Sequence, residues 1–369
     1  MNQTDLINDP RTVLTLDAGG TNFVFSAVRA GREAVQPVVL ASHGDDLDLC
    51  LRTMFDGFRQ IMNNLPAEYA AISFAFPGPA DYPNGIIGSL QNLPAFNGAV
   101  PLGPILEEEF RMPVFINNDG DLYAYGEALF GFLPYINSLL EKAGSPKRYK
   151  NLLAVTLGTG FGGGIVRDGE LFLGDNSNAA EIWLMRSKLE PSMNVEEGAS
   201  IRAVRREYAL GAGISFEDAP DPKDIYEIVI GRKPGDGPAA RRAFERMAEV
   251  VGNALADALT LIDGLAVIGG GLAGAASVFM KPLVDEMNSF YVNYKGARYG
   301  RLVQKVYNLE NESDLREFVK GEVSRVAVPG TGRKVLYDSE KRTGVGATRI
   351  GTSQATSLGA YAYALHKLG

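Results

Sequence analysis

The sequence predicts a two-domain α/β protein built on a duplicated mixed sheet, from three observations. The chain has 369 residues, past the roughly 250–300 at which single cores stop growing. β-prone apolar runs alternate along it with amphipathic helical stretches. One device, an apolar run that enters a glycine turn carrying a threonine and leaves as a second strand, occurs twice, about 140 residues apart. Two α/β halves, each offering one such hairpin to a shared cleft, account for all three.

The first hairpin is Val13-Leu-Thr-Leu16, then Asp17-Ala-Gly-Gly-Thr21, then Asn22-Phe-Val-Phe-Ser-Ala-Val28. Gly19 and Gly20 have no Cβ, so backbone N–H groups there can approach an anion closely, and Thr21 adds a hydroxyl donor. A carboxylate just before such a turn repels phosphate unless a cation lies between them. Asp17 therefore suggests Mg²⁺, which favours carboxylate oxygens and water-bridged phosphates. By itself the string fits equally an ordinary tight hairpin whose Asp caps its own turn.

Leu47, Leu51, Met54, Phe55, Phe58, Ile61 and Met62 then recur at helical spacing, the stripe of a helix packed on a sheet. A short buried strand, Ile72-Ser-Phe-Ala-Phe76, ends in Pro77-Gly-Pro79, which continues neither strand nor helix. After a loop rich in amides and aromatics, Gln91 to Asn97, come a short acidic helix over 102–110 and a strand, Val114-Phe-Ile116. That strand ends in Asn117-Asn-Asp-Gly120, with a helix over 122–130 directly after it. The first domain is expected to span 1–117, with a hinge near 117.

The second half, 118–353, repeats the device: Leu152-Leu-Ala-Val-Thr-Leu157, Gly158-Thr-Gly-Phe-Gly-Gly-Gly164, Ile165-Val166. Met247, Val250, Val251, Ala254, Leu255, Ala258, Leu259 and Ile262 stripe a long helix that leads to a buried strand and a third glycine cluster, Leu265-Ala-Val-Ile-Gly-Gly-Gly271. Residues of about 299–351, charged and irregular, read as an elaboration of this domain. An alanine-rich helix over 354–369 is expected to return to the first domain.

Composition narrows the chemistry. Net charge is −8 with no Lys/Arg cluster, which argues against nucleic acid. The N-terminal ten residues lack a basic and an apolar region, and the uncharged stretches 151–166 and 264–280 are too short and glycine-rich to span a bilayer, so no membrane association and a cytoplasmic address are expected. One cysteine, Cys50, and two histidines, His43 and His366, leave almost no material for disulfides, zinc clusters or histidine triads. An enzyme made from this chain would use a carboxylate as its base.

Gly158-x-Gly160-x-x-Gly163, with Glu181 downstream, matches the dinucleotide fingerprint. That fingerprint needs its third glycine to open a helix, whereas Ile165-Val-Arg-Asp-Gly169 reads as strand and turn. No Gly-x-x-x-x-Gly-Lys-Ser/Thr string exists, so a P-loop is excluded. The three glycine clusters in order are more specific than any one of them. They resemble the sugar kinases of the actin/hexokinase superfamily, with its ribonuclease H-like, actin-like ATPase fold, and in detail the ROK group of glucokinase-like enzymes. The resemblance runs on through Phe76-Pro-Gly-Pro-Ala-Asp81, Gln91-Asn-Leu-Pro-Ala-Phe96, Asn117-Asn-Asp119, Ala180-Glu-Ile182, Val195-Glu-Glu-Gly-Ala-Ser200 and Ser357-Leu-Gly-Ala360.

The resemblance implies ATP and Mg²⁺ as cofactors and a hexose or N-acetylhexosamine as substrate, phosphorylated at the 6-hydroxyl. Asp119 matches the family's catalytic base and Asn118 the amide that holds a neighbouring hydroxyl. Glu181 and Glu196 match acids that grip ring hydroxyls, and Gly78 and Asn92 fall in the substrate loops. Asp17 (for Mg²⁺, through water), Gly19, Gly20, Thr21, Asn22, Gly158, Thr159 and Gly160 would line the phosphates, with Gly269, Gly270 and Gly271 near adenine and ribose. Family members often form homodimers. The family's Gly-His after the first acid is here Trp183-Leu184, and its Cys/His zinc loop is missing, so no zinc is expected. Trp183, the only tryptophan, reads equally as a stacking surface for a sugar and as a core anchor. The alternative is a catalytically degenerate sugar sensor, since some members are regulators fused to a helix-turn-helix. With the first strand near Val13, that domain is not expected here.

Overall fold

The computed structural model describes residues 3–78, 80–88, 90 and 93–369. It divides into two compact units, one of residues 1–131, 164–179 and 350–369, the other of 132–163 and 180–349. The expected division at 117 differs from this: the helix that starts at Asp119 groups with the first unit, and the boundary follows Gly131.

In the first unit a short helix α1 (Gln3–Ile7) precedes the strands β1 (Thr12–Ala18), β2 (Asn22–Arg29), β3 (Arg32–Glu33), β4 (Val38–Ala41) and β5 (Tyr69–Ala75), with helix α2 (Leu47–Asn64) between β4 and β5. After the small hairpin β6 (Ala80–Asp81) and β7 (Ile86–Ile87) come α3 (Leu102–Phe110), β8 (Val114–Asn117) and α4 (Asp119–Leu129). The sheet order is β3-β2-β1-β5-β8, with β4 also on β2. β1, β5 and β8 run parallel, and β2 returns antiparallel from the glycine turn. Alternation along the strands sends Leu14, Leu16, Phe23, Phe25, Ile72, Phe74 and Phe76 into one core with Met54, Phe58 and Ile61 of α2. Phe25 and Phe58 meet edge to face with centroids 5.1 Å apart. Asp46 caps α2 by accepting from the N–H of Leu49 at 3.0 Å.

The other face of this sheet is covered by α4 and the C-terminal helix, whose buried small residues are what let them pack backbone to backbone. A Cβ on Gly126 would lie 1.9 Å from the Ala355 carbonyl oxygen, and one on Gly359 the same distance from that of Leu122. Gly359→Val is therefore expected to cost about 1–3 kcal/mol or more, the range for overpacked cores, because backbone rather than a side-chain tip must give way. Urea unfolding would measure it, and a midpoint equal to wild type would remove this contact from the account of how α4 is held.

In the second unit α5 (Phe132–Lys142) leads to β9 (Leu152–Leu157) and β10 (Phe161–Arg167); the unit boundary falls within β10, which pairs with β11 (Glu170–Leu171). Then come α6 (Ile201–Ala212), α7 (Pro222–Val229), α8 (Gly237–Ile262), β12 (Leu265–Gly269), α9 (Ala276–Met287), the hairpin β13 (Phe290–Val292) and β14 (Arg298–Gly300), β15 (Lys305–Asn308), α10 (Glu312–Lys320), the hairpin β16 (Val323–Ala327) and β17 (Lys334–Asp338), and β18 (Arg342–Ala347). The last helix, α11 (Thr352–Leu368), groups with the first unit. β9, β12, β18 and β15 lie side by side and parallel. Reading 299–351 wholly as an elaboration is corrected by this: β15 and β18 are strands of the main sheet. β18 lacks an apolar signature because its glycines pack directly on larger neighbours, Gly344 on Leu309 and Gly346 on Phe132. Among the described residues no helix is long and apolar enough to cross a membrane.

Candidate functional site

In the first unit the chemistry gathers at the carboxyl ends of three parallel strands, where open α/β sheets place ligands. Asp17 of β1 stands opposite Ala75 of β5, and Ala75 opposite Asn117 of β8. With strands about 4.8 Å apart, this row puts the Asp17 and Asn117 backbones roughly 10 Å from each other. Asp17, Gly20, Thr21 and Asn22 are exposed. The Gly19 N–H closes the turn onto the Asn22 carbonyl at 3.1 Å, and a Cβ at Gly19 would stand 2.8 Å from that oxygen. Ser42, which no motif indicated, ties down the carbonyls: its hydroxyl donates to the Gly20 oxygen at 2.6 Å and its N–H to the Thr21 oxygen at 3.0 Å. The N–H groups of Gly20 and Thr21 donate to nothing in the chain among the described residues. A turn with its oxygens tethered and its N–H groups open suits an anion.

One exposed carboxylate beside such a turn fits Mg²⁺, which keeps several waters and takes one or two carboxylates plus substrate phosphates. Among the described residues no three His, Cys, Asp or Glu side chains are grouped to hold a metal by themselves.

Asn118 and Asp119 sit where β8 becomes α4. Asn118 is the N-cap: its Oδ1 accepts from the Gly120 N–H at 2.8 Å. Its Nδ2 reaches Tyr82 Oη at 3.5 Å, and that hydroxyl donates to the Phe76 carbonyl at 2.9 Å. Tyr82, another residue that sequence patterns miss, thus links Asn118 to the loop of Gly78, whose Cβ position lies 3.1 Å from the same hydroxyl. Asn92 lies outside the described residues. Asp119 is the first helical residue, and its Oδ1 accepts from the Gly120 N–H at 2.9 Å. Its carboxylate is open to solvent by area, yet protein atoms crowd it as in an interior. Desolvation therefore leads in pushing its pKa up, the Gly120 and Asp119 N–H groups oppose it, and the charge of Asp17 adds to it. Gly164 lets β10 approach this helix, since a Cβ there would fall 2.4 Å from the Gly120 carbonyl oxygen.

In the second unit the Gly158 N–H closes the second turn onto the Gly160 carbonyl at 3.0 Å. Glu196, expected to be a gripping acid, is engaged within the protein: Oε2 accepts from the Phe161 N–H at 3.0 Å and Oε1 pairs with Arg202 at 2.9 Å. Arg202, also missed by motif, donates to the Thr159 carbonyl at 3.2 Å and to Glu197 at 2.6 Å, and holds the Glu197 carboxyl below its usual range. Gly269 ends β12 and Gly270 follows at φ +83°, against the end of β9. Gly271 has open space where a side chain would be. Glu181 precedes a 3₁₀ turn over Ile182–Leu184, and its Oε2 accepts from the indole N–H of Trp183.

Comparison with known proteins bears on this arrangement. The solved glucokinase of Parabacteroides distasonis is 53% identical, over 98% of this chain and 99% of that one, with a TM-score of 0.89. An N-acetyl-D-glucosamine kinase of Vibrio cholerae is 27% identical over 70% of this chain and 83% of its own length. A ROK family glucokinase of Streptomyces griseus, solved with glucose and AMPPNP, shares the fold at 19% identity, covering 96% of this chain and 99% of that one, with a TM-score of 0.62. The family pattern described as ROK matches residues 13–312, from β1 through both glycine turns and the triple glycine into α10. With two α/β units whose parallel strands end in glycine turns and a carboxylate at a helix head, the chain belongs to the ROK family and has its actin-like sugar-kinase fold.

Proposed function

We propose that this protein transfers the γ-phosphoryl group of ATP to a hexose or N-acetylhexosamine, at the 6-hydroxyl. The observation that carries the reading is Asp119, a carboxylate at the end of β8 in the strand row that also holds Asp17 and its glycine turn. The kinases named above, one of them solved with glucose and AMPPNP, support the reaction class.

Phosphoryl transfer leaves a protein little covalent chemistry, so positioning and charge neutralisation carry it. Asp119 accepts the proton of the hydroxyl as that oxygen attacks phosphorus in line. Its desolvated carboxylate is a stronger base than an ordinary Asp. Asn118, held by Gly120 and Tyr82, orients a neighbouring hydroxyl. The open N–H groups of Gly20 and Thr21 take phosphate oxygens. Asp17 would hold Mg²⁺, and the ion, when bound, would supply charge neutralisation on the phosphates. Glu181 accepts a hydrogen bond from a ring hydroxyl, and Glu196, which also supports the second turn through Phe161 and Arg202, keeps acceptor capacity for another.

ADP release measured across glucose, mannose, fructose, N-acetylglucosamine and N-acetylmannosamine is the test. Turnover on at least one is expected. Tight sugar binding with no turnover on any would replace the kinase reading with a sensor.

A further inference from the structure

Trp183 occupies the place where the resemblance expects a glycine, just before the missing histidine, and the structure pairs it with Glu181. The Glu181 side chain does not cap its own turn; its Oε2 takes the Trp183 indole N–H, and Oε1 has no partner among the described residues. The turn that carries both residues is held from several sides. Ile182 is buried, with its Cγ2 3.0 Å from where a Cβ of Gly163 would be. The Leu184 N–H donates to the Glu181 carbonyl at 3.1 Å, and the Val195 N–H to that of Met185 at 2.8 Å. Trp183 is itself half-buried, so part of its ring stays open.

We propose that Trp183 is a substrate-positioning residue. Its N–H fixes the Glu181 carboxylate by one oxygen and thereby presents the other, in a single orientation, to one hydroxyl of the sugar. The open part of the indole supplies an apolar surface for the ring's C–H groups. This rests on the reading of Glu181 as a sugar-binding acid, and it narrows the substrate class. A carboxylate with no cation bonded to it accepts from a neutral hydroxyl and repels sugar acids and sugar phosphates. In place of an imidazole that would contact sugar directly, this chain has an indole that acts through the acid.

As the only tryptophan, Trp183 is also its own reporter. Titration of the protein with the preferred neutral hexose, without nucleotide, is expected to change its emission saturably. Trp183→Phe keeps a ring but loses the donor, and should weaken hexose binding in calorimetry about tenfold, the scale of a hydrogen bond to a charged group. It should raise KM for hexose in step while kcat, KM for ATP and Tm stay near wild type, and Trp183→His, which restores an N–H, should recover part of the loss. A purely structural role would instead lower Tm and disturb both substrates. Glu181→Gln separates this inference from the reading beneath it. If that variant loses hexose affinity and Trp183→Phe does not, the positioning role is overturned and the acid's role stands; if Glu181→Gln binds hexose like wild type, both fall.

Discussion

Asp119→Ala is expected to lose turnover by about 10²–10⁴-fold while ATP binding survives, because a positioned general base typically contributes that much and the phosphate-binding turns lie elsewhere in the chain. Stopped-time ADP release and calorimetry with ATP measure the two halves of the statement. Retention of more than about a hundredth of wild-type kcat would falsify the base assignment. The raised pKa adds a second signature. Asp119 must be ionised to accept a proton, so kcat/KM should fall as pH drops through a value above that of an ordinary Asp, and the acid limb should be absent from the residual activity of Asp119→Asn.

The linkage sign makes the same residue a cost to the fold. Between the ordinary Asp value and the raised native one, the folded state binds more protons than the unfolded, so this group's contribution to stability falls as pH rises through that window. At neutral pH the charged Asp119 is held at the expense of stability. Asp119→Asn should therefore keep only residual activity and be at least as resistant to urea as wild type. A variant that is both inactive and unstable would point instead to a structural role for the Asp119 charge at the head of α4, where a negative group meets the positive end of the helix dipole.

What the sequence made legible followed from strong local signals. Apolar runs in β1, β2 and β5, the stripe of α2, and glycines between apolar runs mark these strands, this helix and both turns in the sequence. The missing parts have physical causes. β18 hides because glycines replace its apolar residues where Leu309 and Phe132 fill the space. Asp119–Leu129 groups with the first unit through close contact with Ala355 and Gly359, more than 200 residues onward, which no local pattern encodes. In the candidate site, residues that carry motifs are legible in the sequence and those that hold them in place are not. Ser42, Tyr82 and Arg202 act on backbone carbonyls and on neighbouring side chains, and nothing in their types or spacing announces it. Glu196 is the converse: its motif is visible, but its two partners appear only when its 3₁₀ turn (Val195–Gly198), the second glycine hairpin and α6 are brought together.

The triple glycine offers a sharper separation of fold from function, since its members should respond in opposite ways. Gly270 has φ +83° and ψ 171°, a region essentially reserved to glycine, and a Cβ there would lie 2.3 Å from the Leu157 carbonyl oxygen. Gly270→Ala must shift the end of β9, and with it Gly158, at a cost of about 1–3 kcal/mol for the backbone conformation, with overpacking against Leu157 in addition. It should unfold at distinctly lower urea and bind nucleotide poorly. Among the described residues no atom lies within 4 Å of where a Cβ of Gly271 or Gly158 would stand, so Gly271→Ala and Gly158→Ala should unfold like wild type. If these open positions face the nucleotide, their methyl groups intrude on ATP rather than on protein. KM for ATP should then rise several-fold in both, with hexose binding in calorimetry unchanged. Wild-type ATP kinetics in both variants would move the nucleotide away from these glycines, whatever Gly270→Ala does to the fold.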